Sequence, residues 1–435
     1  MAAQSAAKVA QSKSVPSTQN PDPAKGTRPV ENDHNVYILG AGFSSDAGLP
    51  MIGGFLTRMR DAHPWLEAKK DRHWEAFAIA QVLKFRLTAA SAAYWVSLDL
   101  ENIEELFSLA DATASADDLD ENIRTAIAAT LDFAAKTKTV TPLSFNANYA
   151  SELKAANVSW VQSTAASPGE LIMARYPGYV AKLLGMFRDS TVKGKNTFIT
   201  FNYDTVLEDA LVDLQVPFHY GFRGQAKEPL LDRDLSQPDV AFDSSAKAQA
   251  DIMSGIPVLK LHGSTNWSRP TKTDDDGRQE VGPLTVYGSY ESIRFPLVPQ
   301  LVPPTWRKTL QSGLHHVWSE AVKALQDATN IVIIGFSMPP TDTHFKYLMA
   351  AGLQQNISLR RILFVNPSVK DLEQRARKLL RKDYMKPLND PIYLSPKPIQ
   401  FLQNDLQSFV NSSWMEALGR PFPIGLDVKP SIFVA

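Results

Sequence analysis

Five short runs along the chain are almost continuously apolar, at residues 35–39, 197–201, 258–261, 331–334 and 362–365. Runs of this length, without polar alternation, suit strands covered on both faces, as in a parallel sheet. Segments with helical spacing lie between them and complete a βαβ pattern. The pattern predicts an α/β, Rossmann-like parallel sheet with helices on both faces. The interval from about 64 to 190 departs from it. There, alanine- and leucine-rich stretches at 75–93 and 123–135 carry apolar residues three to four positions apart. That spacing predicts a mainly helical subdomain inserted between the first and second core strands.

The flanks and loops read differently. Residues 1–32 are rich in Ala, Ser, Gln and Pro and lack the apolar centre of a signal peptide, so a flexible tail is expected. One main domain is expected over 33–415, with a C-terminal extension over 416–435. Asp274-Asp275-Asp276-Gly277 reads as a hairpin turn, because a calcium loop needs alternating acids and a closing Glu. The proline-rich stretch 295–306, ending at Trp306, reads as a stiff, extended loop. The basic residues Arg375, Arg377, Lys378, Arg381 and Lys382 read as a solvated helix face.

Composition narrows the chemistry. The 435 residues are 44% apolar and 21% charged, with a formal net charge of −1, which gives no global case for binding nucleic acid or an anionic membrane. There is no cysteine, which removes disulfides, thiolate zinc sites, iron–sulfur clusters and cysteine nucleophiles together. No apolar stretch approaches the roughly 20 residues that span a bilayer. A cytoplasmic protein is expected.

Polar motifs follow the predicted strands, where ligands collect in open α/β sheets. After the first comes Gly40-Ala41-Gly42-Phe43-Ser44-Ser45, closed by Ala47-Gly48-Leu49-Pro50. A glycine turn opening into helical structure brings bare backbone to a pyrophosphate. The dehydrogenase spacing is not met, since position 45 is Ser and no second strand follows promptly. After the second run stands Thr200-Phe201-Asn202-Tyr203-Asp204, whose amide and carboxylate either face a crevice or cap the helix expected over 205–214. The third ends in Lys260-Leu261-His262-Gly263-Ser264, placing an imidazole for general base work or for a structural bond. The fourth runs into Gly335-Phe336-Ser337-Met338-Pro339-Pro340, a phosphate or ribose site by type. The fifth ends at Asn366-Pro367-Ser368, suited to ribose hydroxyls or to a turn in which Ser368 caps the next helix. The pair His315-His316, in a predicted helix without a glycine turn, is assigned no catalytic role.

In combination these motifs resemble the sirtuin-like superfamily, in its prokaryotic branch linked to anti-phage defence, over roughly residues 33 to 410. The resemblance implies that Gly40, Ala41, Gly42 and Ser44 cradle the pyrophosphate of NAD. It implies that Asn202 holds the nicotinamide ribose and an attacking water, that Asp204 helps bind the carboxamide, and that His262 is the base. Ser337 and Asn366 would hold the adenosine half. The implied activity is NAD glycohydrolysis, with NAD as substrate and no metal, giving nicotinamide and ADP-ribose or a cyclic form. The cysteine-bound zinc module of the protein-deacetylating branch cannot be built here. Two other readings stay open: an NAD- or ADP-ribose-binding signalling module without turnover, and an NAD-dependent protein-lysine deacylase. Because unregulated NAD loss harms its host, a homo-oligomer or a regulatory partner is expected, such as a ring-forming ATPase or a nucleic-acid-guided protein.

Overall fold

The computed structural model describes residues 33–113, 116–146, 161–164, 170–186, 194–222, 238–242, 255–268, 271–273, 279–281, 284–293, 295–303, 314–338, 343–380 and 399–412. The expectations for the two termini, the Asp274–Gly277 turn, Trp306, Arg381 and Lys382 lie outside these residues.

The chain runs β1 (Asp33–Leu39), then helices α1 (Phe55–Glu67), α2 (His73–Ala89), α3 (Ile103–Ala112) and α4 (Ala116–Thr137). Strands β2 (Leu143–Asn146), β3 (Val161–Thr164) and β4 (Glu170–Met173) precede α5 (Arg175–Leu183) and β5 (Gly194–Thr200). Next come α6 (Val206–Asp213), β6 (Phe218–His219), β7 (Pro238–Phe242), β8 (Ile256–Lys260) and β9 (Gly263–Ser268). Strands β10 (Thr271–Thr273), β11 (Gln279–Val281), β12 (Leu284–Tyr287) and β13 (Pro299–Leu301) follow, then α7 (His315–Gln326) and β14 (Asn330–Ile334). The described chain closes with α8 (Thr343–Leu353), β15 (Arg361–Val365), α9 (Val369–Leu379), β16 (Ile399–Leu402) and α10 (Leu406–Val410).

All five apolar runs become neighbours in one seven-stranded sheet of order β16-β15-β14-β1-β5-β8-β6. Every adjacent pair in it is parallel. The residues of β1, β14 and β15 are buried throughout, as strands covered on both faces must be. From β1 the chain builds outward through β5 and β8 on one side, and later through β14, β15 and β16 on the other. The boundary between β1 and β14 is therefore the topological switch point, where a crevice opens beyond the carboxyl ends of the strands.

The opposite edge of the sheet is closed by polar pairing. Asn330 Nδ2 donates to Asn35 Oδ1 at 2.8 Å, and Asn35 Nδ2 donates to Asn196 Oδ1 at 3.4 Å. This ladder ties β14, β1 and β5 together and pairs the Asn35 amide on both sides.

The insertion is helical through α4, where α1, α2 and α4 pack on one another. It then continues into an antiparallel sheet of order β2-β4-β3, which the helical periodicity did not predict. A second antiparallel sheet, β13-β9-β12-β7, joins β7, which precedes the His262 turn, to three strands that follow it. Its edge strand β13 comes from the proline-rich stretch read as a loop; pairing with β9 orders it. Strands β10 and β11 pair antiparallel.

Candidate active site at the switch point

The glycine turns after β1 and β14 are pressed together. Gly40 donates its amide to Ile334 O at 3.0 Å, and Gly42 donates to Gly335 O at 2.9 Å. A Cβ on Gly42 would stand 2.8 Å from the Gly335 Cα, and one on Gly40 would stand 2.6 Å from the Phe336 Cα. Gly335 itself has φ +63°, and a Cβ there would meet Phe43 N at 2.4 Å. These glycines thus serve the contact between two turns as well as any ligand. Phe43 N and Ser44 N also donate locally, to Gly40 O and Ala41 O. The amides of Ala41 and Ser45 lie outside this network, at the start of two short 3-10 turns.

Asn202, Asp204 and Ser44 form one bonded cluster across β1 and β5. Asn202 Nδ2 donates to Gly40 O at 3.0 Å and to Ser44 Oγ at 3.2 Å. Ser44 Oγ donates in turn to Asp204 Oδ1 at 3.0 Å. The same carboxylate oxygen accepts Val206 N at 3.1 Å and so caps α6. The helix-end reading is met by Asp204 holding the first amide of α6, while Thr205 occupies the N-cap position without a side-chain cap bond. Burial pushes its pKa up to about 6 against the opposing Lys260 ammonium; Glu208 adds to the rise, while Val206 N–H and Ser44 OH resist it.

His262 sits in the two-residue bend between β8 and β9. Gly263 allows the bend, with φ +82° and no room for a Cβ against Gln300 O at 2.0 Å. The imidazole is buried, edge-on to Phe201 with ring centroids 5.1 Å apart. Phe201 in turn stacks on Phe336 at 4.7 Å. One aromatic ring thus separates His262 from the residue whose Cα abuts Gly40. The backbone of the bend is held on both sides: Val302 N donates to His262 O at 2.9 Å, and Tyr203 OH donates to Val302 O at 2.6 Å.

Ser337 and Asn366 fall at the carboxyl ends of β14 and β15, on the same edge of the sheet. Ser337 is exposed. Asn366 Oδ1 accepts Ser368 N at 2.8 Å, so its amide closes a turn, and Ser368 makes no side-chain cap to α9. Neither side chain bonds to the Asn202 cluster.

No motif in the chain pointed to the brace beneath the glycine turn. Tyr176 OH donates to Phe43 O at 3.0 Å and accepts Ala47 N at 2.9 Å. Tyr179 OH donates to Asp46 Oδ2 at 2.7 Å, and Arg175 reaches the same oxygen at 3.1 Å. All three belong to α5, inside the interval read as insertion. Burial drives the Tyr176 and Tyr179 phenols upward, so both stay protonated as donors.

A glycine turn, an amide–carboxylate turn and an imidazole thus stand at the carboxyl edge of one parallel sheet, the edge at which open α/β sheets bind ligands. Residues 196–388, from β5 through α9, match the model of the SIR2-like domain family. Solved structures similar to the chain include a Sir2 homologue in complex with NAD, at 12% identity, 91% coverage of each chain and TM-score 0.33. Another is a Sir2 homologue mutant with 2′-O-acetyl ADP ribose, at 12% identity, TM-score 0.34, covering 94% of this chain and 97% of that one. A third is Sir2Tm bound to a propionylated peptide, at 11% identity, TM-score 0.30, covering 88% of this chain and 92% of that one. No curated protein matches the chain. Among the described residues, no His, Asp and Glu group is arranged to hold a metal ion, and no helix is long and apolar enough to cross a membrane.

Proposed function

We propose that the chain is an NAD glycohydrolase. The observation that carries this reading is the bonded cluster of Asn202, Ser44 and Asp204 across the carboxyl ends of β1 and β5, with His262 packed edge-on against Phe201, the residue before Asn202. In the reaction, the bond between C1′ of the ribose and the nicotinamide nitrogen breaks, and nicotinamide leaves as a neutral molecule. The oxygen of water bonds to C1′, and its proton passes to His262, giving ADP-ribose. Asn202 orients the ribose and the water, the Ala41 and Ser45 amides face the diphosphate, and Ser337 and Asn366 flank the adenosine half. The aromatic wall of Phe201, Phe336 and Phe345 keeps water ordered and scarce around the reacting bond.

Product analysis after incubation with NAD tests the reading. Loss of NAD without any peptide, yielding nicotinamide with ADP-ribose or its cyclic form, supports it. Loss only with an acyl-lysine peptide makes the chain a deacylase, and binding without loss makes it a signalling module.

The same reading casts the protein as an NAD-depleting effector in anti-phage defence, held in check by self-assembly or by a partner protein. The helical insertion offers the contact surface, since Tyr94 and Trp95 are each 89% exposed beyond α2. Measured mass in solution, with NAD loss followed at each assembly state, tests this control.

A further inference from the structure

Lys260 is 0% exposed and Glu208 is 1% exposed. The ammonium donates to Glu208 Oε1 at 2.8 Å and also to the backbone carbonyl of Asp204. Burying two charges gives little net stability, because desolvation offsets most of the attraction. The pair needs another explanation, and its third partner supplies one. Lys260 lies on β8, two residues before His262, while Asp204 ends the turn that carries Asn202. The ammonium therefore joins the two halves of the site, the His262 strand and the Asn202 turn, through a backbone oxygen that no apolar side chain can hold. Glu208, on α6, fixes the ammonium from the far side, and Tyr220 OH supports that carboxylate at 3.4 Å.

We propose that Lys260, held by Glu208, is a positioning residue that sets the Asn202 turn against His262. The proposal rests on the reading of this site as an NAD-processing centre and adds to it a residue that never touches substrate. Misplacing a reacting group by about 1 Å costs on the order of 100-fold in rate. Binding of the diphosphate depends on the glycine turns and is untouched by this link.

The test compares the full chain with Lys260→Met and with the double variant Lys260→Met/Glu208→Leu. The single variant leaves Glu208 buried and unpaired, and it unfolds at lower temperature. The double variant replaces a buried ion pair by apolar groups, so its melting temperature returns to that of the parent. The expected result is that this stable double variant keeps kcat reduced about 10- to 100-fold on NAD, with KM within about twofold. A double variant with parental stability and parental kcat overturns the proposal, as does a loss confined to KM. If the parent chain itself does not consume NAD, the glycohydrolase reading fails instead. Amide hydrogen exchange then decides the positioning claim: faster exchange at 201–206 in the stable double variant upholds it, and unchanged exchange overturns it.

Discussion

Gly42 and Gly335 meet backbone to backbone, with the Gly42 amide donating to the Gly335 carbonyl at 2.9 Å. This contact locks the turn after β1 to the turn after β14 on either side of the switch point. A methyl group on Gly335 faces both a positive φ and the Phe43 amide at 2.4 Å. Gly335→Ala should cost about 3 kcal/mol in thermal or urea unfolding, combining backbone strain and overpacking. Gly53→Ala is the control: nothing stands within 4 Å of its Cβ position, so stability should change by less than about 0.5 kcal/mol.

Tyr176→Phe should test the brace under the glycine turn. The change leaves Phe43 O and Ala47 N without their side-chain partner in a buried setting. A loss of about 1–3 kcal/mol is expected. Isothermal titration with NAD on an inactive His262→Ala background should show weaker binding, because the turn loses its support. Unchanged stability would show that the brace is not needed.

The pH dependence of stability separates two opposed groups. Burial lowers the pKa of His34 and of His219 to about 4, helped at His34 by Lys195 and opposed by Asp327, and at His219 opposed by Glu320. The unfolded chain then binds more protons between about pH 4 and 6.5, so stability rises with pH across that window. Asp204 works the other way. Its folded pKa of about 6 exceeds the 3.8 of an unperturbed aspartate, so the native state binds the extra proton and stability falls as pH rises from about 4 to 6. Asp204→Asn keeps an acceptor for Ser44 and Val206 but cannot titrate. Its stability should therefore climb more steeply between pH 4.5 and 6.5 than the parent's, by about 2 kcal/mol over the window. Parallel curves in urea unfolding would contradict the buried carboxyl.

Much of the sheet was legible in the sequence because both of its faces are covered. Strands such as Ile331–Ile334 have no polar alternation to confuse with an exposed edge, and a glycine, an amide or, after β8, His262 marks the turn that follows. The edge strands were not legible. β6 has two residues, and β16 reads Ile-Gln-Phe-Leu, too short for periodicity to speak. Strand β13 was hidden by its prolines, since only a partner strand reveals that Pro299–Leu301 sits at an edge, where a missing donor is tolerated. At the site, the strand-end motifs were visible one by one, but their bonding was not. That Asn202 reaches Gly40 across 162 positions, or that Tyr176 braces Phe43, depends on tertiary placement that local pattern does not encode.

The central claim is that His262 and Asn202 act on one sugar. The measurement that tests it most directly is NAD loss, with products resolved, for the parent chain, His262→Ala and Asn202→Ala, each checked for an unchanged melting temperature. The account predicts that the parent releases nicotinamide and ADP-ribose, and that each folded variant is slower by roughly 10²–10⁴-fold. A folded His262→Ala chain that consumes NAD at the parental rate would contradict it.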